Sequence, residues 1–213
     1  GAEEFSRLVD EDWQQTKNDS KLKLNLVELE QLKKDFSLPI KPIDLGSFEE
    51  KVDFNYSIWK KNNVRSHKID GFSIVNISLT KLGAAPGDAT SEQMRILADL
   101  AEKYSVGELR TTKRQTIVFP YVRKDQIFNL WQSLEKYGLA SPHQGTLAQI
   151  VACPGRDYCD LAKAVSIPIA TRVQERFNDM KKLLDIGDLN INISGCENSC
   201  AHHHIADIGL LGM

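Results

Sequence analysis

The chain has four cysteines, in two close pairs: Cys153 and Cys159 with five residues between them, then Cys196 and Cys200 with three. Four thiolates satisfy either a tetrahedral zinc ion or an iron–sulfur cluster. Zinc knuckles use tighter C-x2-C or C-x4-C spacing, so the run Cys153-Pro154-Gly155-Arg156-Asp157-Tyr158-Cys159 accommodates a larger cubane more easily. The competing reading, four buried cysteines acting as small apolar residues, is weakened by the glycine-containing loops that carry them. His202, His203 and His204 follow the last cysteine. A zinc site built from Cys196, Cys200 and two of these histidines is possible, but it leaves Cys153 and Cys159 without a role. His67 and His143 stand alone and read as satisfied structural histidines. Arg156 and Lys163 flank the first pair and face either an anionic group or solvent.

At 213 residues the chain is large enough to bury a core without a metal or disulfide staple, so the cysteines need a chemical reason. Its 27 basic and 29 acidic residues are nearly balanced, which argues against a nucleic-acid footprint spread over the surface. No apolar run is long enough to span a bilayer, and the start Gly1-Ala2-Glu3-Glu4-Phe5 is polar and acidic. A cytoplasmic protein is the expectation, with no membrane and no nucleic acid among its partners.

The elements that must position the cysteines read as follows. Residues 1–53 form a charged lead-in, with Leu22, Leu24 and Leu26 alternating and a short helix through Leu29, Leu32 and Phe36 that Pro39 and Pro42 stop. Gly71 to Leu79 alternates as a strand. Thr90 or Ser91 caps a helix carrying Met94, Leu97, Leu100, Ala101 and Tyr104. Leu109 to Val122 reads as one further strand, and a second amphipathic helix carries Ile127, Leu130, Trp131, Leu134 and Tyr137 with Gly138 as its stop. Beyond about residue 146 the order becomes cysteine loop, helix, strand, cysteine loop, strand. Pro168 opens a helix running through Val173, Phe177, Met180, Leu183 and Leu184, Leu189 to Ile193 alternates, and Ile205 to Leu211 reads as a buried strand.

The C-x5-C pair, Cys153 and Cys159, is followed by a C-x3-C pair within Asn192-Ile193-Ser194-Gly195-Cys196-Glu197-Asn198-Ser199-Cys200-Ala201, and then by Ala206-Asp207-Ile208-Gly209-Leu210-Leu211-Gly212. With these flanks the signature resembles the siroheme and iron–sulfur domain of nitrite and sulfite reductases. The resemblance runs from about Tyr56 to Met213 and includes Gly107-Glu108-Leu109-Arg110-Thr111-Thr112-Lys113-Arg114-Gln115 of a ferredoxin-like half-domain. It implies an α+β fold: a ferredoxin-like α/β sandwich half-domain over 54–140, then part of the iron–sulfur and siroheme α/β domain over 141–213. By the same resemblance Cys153, Cys159, Cys196 and Cys200 hold one [4Fe–4S] cluster, and Cys200 is also the axial ligand of siroheme. Asn198, Gln115, Arg110 and Thr112 carry over as siroheme-binding residues, because eight carboxylates on that macrocycle call for guanidinium, hydroxyl and amide donors. Where relatives more often show Gln-Asn, this chain has Gln115-Thr116.

The implied activity is six-electron reduction of sulfite to sulfide or of nitrite to ammonia, fed by a ferredoxin or flavoprotein donor. The family's substrate-binding residues belong mostly to a first half that this sequence lacks, so no catalytic residue is assigned here. The chain reads as part of a larger reductase, inactive by itself. Whether the piece alone holds either cofactor, which of the two anions is the substrate, and the part played by the three histidines all stay open. A heme-free [4Fe–4S] electron carrier and a zinc-stabilised interaction module are the alternatives.

Overall fold

The structure, a computed structural model, describes residues 1–36, 40–49 and 51–213, in two compact units, Gly1–Lys41 and Pro42–Met213. Pro39, read as a helix stop, lies outside the described residues. The first unit contains helices α1 (Ala2–Thr16) and α2 (Leu26–Asp35), and neither buries a side chain. The lead-in is therefore more helical than its weak periodicity suggested. Local terms account for much of this: Arg7 bridges Glu4 and Glu11 one turn away on either side, and Asn25 forms a reciprocal capping box with Glu28.

The second unit opens with α3 (Phe54–Asn63), capped by the Asp53 carboxylate accepting from the Tyr56 amide. There follow β1 (Val64–Ser66), β2 (Phe72–Ser78), α4 (Ser91–Tyr104), β3 (Arg110–Thr111), β4 (Thr116–Arg123) and α5 (Ile127–Lys136). The four strands form one antiparallel sheet in the order β1-β2-β4-β3. All three helices contribute to a single core with the sheet: Tyr56 and Trp59 from α3, Leu97, Leu100 and Ala101 from α4, and Ile127, Leu130, Trp131 and Leu134 from α5 meet Val75, Ile77, Ile117, Phe119 and Val122. Thr90 caps α4 through a capping box with Gln93, where the sequence pattern put the helix start.

Two strand readings need correction. The segment Leu109 to Val122 is a hairpin rather than one strand, turned at Lys113 and Arg114 with the Gln115 amide donating to the Thr112 carbonyl. β-branched residues fill both arms and the turn carries no Gly-Asn signal, so composition alone hid the reversal. Within β4 the inward residues run Ile117, Phe119, then Val122, because the β2 register shifts between Ser73 and Val75. Pro120 sits in this bulge, and β3 is too short to reach it, so its missing N–H costs no ladder bond.

The remaining elements are β5 (Val151–Ala152), α6 (Ile167–Arg176), α7 (Met180–Ile186), β6 (Ile191–Ser194) and β7 (Ile208–Leu211). The three strands form a second sheet, parallel, in the order β5-β6-β7. The helix expected to run unbroken from Pro168 to Leu184 is two helices. Asp179 accepts from the Lys181 and Lys182 amides and so caps a new start instead of continuing the old turn. The last strand is shorter than expected and exposed along its length, since β7 is the sheet edge and His203–Ile205 forms a 3₁₀ turn before it. Leu147, Ala148, Ile150, Ala152, Ala170, Leu183, Ile191 and Ile193 make a second core beneath this sheet. No helix among the described residues is long and apolar enough to cross a membrane.

Candidate metal and cofactor centre

Cys153 follows directly on β5, and Gly195-Cys196 follows directly on β6. Because the two strands are parallel, both cysteine loops leave the same, carboxyl-terminal edge of the sheet, the edge at which open parallel sheets carry their ligand sites. The ladder continues into the first loop, with the Cys153 amide donating to the Ile193 carbonyl at 3.0 Å. The loops then interlock. The amides of Lys163 and Ala164 both donate to the Gly195 carbonyl, at 2.8 and 3.0 Å, and the Arg156 amide donates to the Ala164 carbonyl at 3.0 Å.

This contact requires glycine on both sides. A Cβ on Gly195 would stand 2.7 Å from the Ala164 carbonyl oxygen and 3.1 Å from the Gly155 Cα. Gly155 has φ +68° and would set a Cβ 2.5 Å from the Ser166 amide nitrogen. The sulfur of Cys153 is held at the junction: it accepts the Gly195 amide at 3.1 Å and lies 3.4 Å from the Ser166 hydroxyl. Cys153 and Cys196 are buried, Cys159 is half-buried and Cys200 is exposed. Ser199 (φ 57°) and His202 (φ 55°) take left-handed conformations on either side of Cys200, an uncommon pairing for side-chain-bearing residues that folds the chain sharply around that sulfur.

Among the described residues, no three His, Cys, Asp or Glu side chains converge tightly enough to hold one metal ion. The donor set nevertheless suits a cluster. All four donors are thiols, the two loops that carry them are locked together, and the Ser194 hydroxyl beside Gly195 is buried with no partner among the described residues. A backbone N–H already aimed at the Cys153 sulfur is the kind of bond that tunes a cluster ligand. Across the loops Lys163 pairs with Glu197 at 3.0 Å, and the Glu197 carboxylate is held below its usual range by its own backbone amide first and by Lys163 second. Both side chains are exposed, so the pair adds little stability.

The structure places the other candidate residues unequally. Arg110 is exposed, bonded to Glu108 at 2.5 Å and to the Tyr121 hydroxyl at 3.1 Å, and the Glu108 carboxylate raises its pKa further. Thr112 is spent within the hairpin turn, its hydroxyl paired with Thr116 and accepting from the Arg114 amide. Gln115 reaches across to β5, where its carboxamide is bonded twice to the Ala152 peptide. Asn198 is exposed between the second pair of cysteines. Of the three histidines only His203 is buried; its Nδ1 lies 3.2 Å from the Ser199 hydroxyl, and its ring meets that of His204 at a tilt of 43°. His67 accepts the Ile69 amide and packs edge-on to Tyr121.

Residues that the sequence did not single out complete the setting. Gln149 is buried, accepts the Ser78 hydroxyl at 2.5 Å and donates to the Arg114 carbonyl at 3.4 Å. Together with Lys113, Arg114, Asn190, Asn192 and His202 it lines a polar recess of about 50 Å³ between the hairpin turn and the parallel sheet. Behind Asn190, Asp207 accepts from its main chain and side chain, and these bonds depress the Asp207 carboxyl pKa. A lone glutamine carries no sequence signature for such a role.

Comparison with known proteins places this arrangement. Residues 75–137 match the model of the nitrite/sulfite reductase ferredoxin-like half domain. A protein named sulfite reductase [ferredoxin] 2, from Mycolicibacterium paratuberculosis, is 30% identical over 155 residues, covering 69% of this chain and 28% of that protein. The chain belongs to the nitrite/sulfite reductase family. The chloroplastic ferredoxin–nitrite reductase of Spinacia oleracea is a second reductase relative, 29% identical over 180 residues and covering 82% of this chain and 28% of its own. The chain thus spans less than a third of the length of these reductases. The solved structure of the Mycobacterium tuberculosis NirA protein superposes with a TM-score of 0.55 at 23% identity over 86% of this chain and 32% of that one, a likeness of fold. The α+β reading of the sequence agrees with both the family match and this fold.

Proposed function

We propose that this chain is the cofactor-holding segment of a siroheme reductase that converts sulfite to sulfide or nitrite to ammonia, with residues 54–140 as its ferredoxin-like half-domain and 141–213 as its iron–sulfur and siroheme domain. One observation carries the reading: both cysteine pairs leave the same edge of one parallel sheet on loops locked glycine to glycine. Cys153, Cys159, Cys196 and Cys200 would hold a [4Fe–4S] cluster, and Cys200, exposed on its sharply bent segment, would present its sulfur to siroheme. When bound, the pair of cofactors supplies the electron transfer that the six-electron reduction needs.

The protein's own contribution is positional and electrostatic. The Gly195 amide directs a donor at the Cys153 sulfur, the kind of bond that would orient a metal-bound sulfur. Burial of Cys153 and Cys196 would keep water from one side of a bound cluster. Arg110 and Asn198 are the donors proposed for siroheme carboxylates, and Thr112 would join them only by giving up its Thr116 partner; Arg110 would exchange its exposed Glu108 contact for them at little cost. A ferredoxin is the donor that the relatives' names suggest, and the residues that bind the substrate anion would belong to the rest of the reductase.

The test is the anaerobically purified intact parent protein, examined by visible and electron-spin-resonance spectroscopy and assayed for sulfite and nitrite reduction with a reduced viologen. Heme bands, four cluster irons and reduction of either anion are expected. A colourless, inactive protein after iron and sulfide reconstitution overturns the proposal. One tightly bound zinc per chain would favour the interaction-module reading instead.

A further inference from the structure

Gln115 stands in an unusual conformation for a residue with a side chain, φ 56° at the end of the β3–β4 turn. Its side chain packs on Gly87, where a Cβ would come within 2.7 Å of the Gln115 Cβ. The side chain crosses to the second sheet. Its Nε2 donates to the Ala152 carbonyl at 2.7 Å, and its Oε1 accepts the Ala152 amide at 3.0 Å.

The position of Ala152 gives this pair its meaning. β5 has a strand neighbour, β6, on one side only. Alternate residues of a strand turn their main-chain groups to opposite edges, and Cys153 turns its amide to β6, donating to Ile193. Ala152 therefore turns both its main-chain groups to the open edge, and the Gln115 carboxamide replaces the missing strand there. Gln149, tied to the Ser78 hydroxyl, holds the Arg114 carbonyl next to it, so the hairpin turn is anchored at two successive residues.

We propose that Gln115 is a positioning residue: its carboxamide fixes the Ala152 main chain, and through it the Cys153 sulfur against the Gly195 amide, so that the ferredoxin-like half sets the geometry of the metal centre. The proposal rests on the reading of Cys153 as a cluster ligand. Its amide bonds, by contrast, exist without any cofactor.

The experiment measures residue-resolved amide hydrogen exchange of the metal-free full chain, together with the spin-resonance spectrum of the reduced parent reductase. The variants are Gln115→Asn, which tolerates the left-handed backbone but is one methylene too short, Gln115→Gly, which removes the backbone strain and both bonds, and the near-isosteric Gln115→Glu, which can accept the Ala152 amide but offers its carbonyl no donor. Exchange at Ala152 and Cys153 is expected to rise about tenfold in the Asn and Gly variants, the effect of two lost hydrogen bonds, and less in the Glu variant. The cluster spectrum should shift in the same order. Wild-type protection at Ala152 in the Asn and Gly variants overturns the proposal, as does exchange that rises evenly over both sheets, or an unshifted spectrum despite lost protection. A wild-type parent holding no cluster overturns the function proposed above without touching the exchange result.

Discussion

Thiol burial separates the four cysteines more sharply than their spacing does. Cys153 and Cys196 sit under the interlocked loops, while Cys200 lies open to solvent and Cys159 half-open. In the metal-free chain under anaerobic conditions, Cys200 and Cys159 should alkylate at least roughly tenfold faster than the buried pair, because the latter react only through local opening. Mass-spectrometric mapping of the labelled peptides checks this; equal rates would mean that the loops do not interlock in solution. Type and spacing alone showed four thiols in two close pairs. The role of Gln115 was not legible that way: it stands beside Arg110 and Thr112 in sequence as one more polar donor, yet its side chain meets a peptide 37 residues away. Such a contact depends on which edge of β5 is left unpaired, and no local pattern records that.

Elements were read best where periodicity and capping agreed. Helix α4, with Thr90 and Gln93 at its start, and β2, with Val75 and Ile77 alternating inward, lie where the pattern put them. The β3–β4 hairpin and the α6–α7 break were missed because each turns at residues that also suit continuation, and only the hydrogen bonds made by the Gln115 amide and by the Asp179 carboxylate mark the reversal and the new cap. The glycines of the cysteine loops belong to the same scale. Gly155→Ala should destabilise the chain by about 3 kcal/mol, since it adds a left-handed side chain to a collision with the Ser166 amide. Gly138→Ala, also at positive φ but with open space around its Cβ, should cost only about 1 kcal/mol. Urea unfolding of the two variants decides whether close approach, beyond backbone conformation, demands glycine at Gly155.

Over the whole molecule, a half-buried histidine links stability to pH. Burial pushes the His143 imidazole below its ordinary 6.5, and its Nδ1 has no partner among the described residues. Well above 6.5 the ring is neutral folded and unfolded. As pH falls below that value the unfolded chain takes up the proton first, so stability is lost progressively down through the lowered folded pKa. Between about pH 7.5 and about pH 5.5 the melting temperature of the wild-type chain should therefore fall further than that of His143→Gln, read by circular dichroism. An equal fall in both would remove His143 as the source.

The amino-acid sequence by itself determined the chemistry on offer: four thiols in two spaced pairs, amphipathic elements, and a resemblance to a reductase family that the comparisons bear out. Those properties are local, set by residue type and by periods of two and 3.6 residues. The tertiary structure alone decided that both cysteine loops share one sheet edge, that glycine meets glycine between them, and that a glutamine from the neighbouring hairpin completes the open edge of β5. Those are properties of strand order and close packing, which bring together residues far apart in the chain and leave no periodic trace along it.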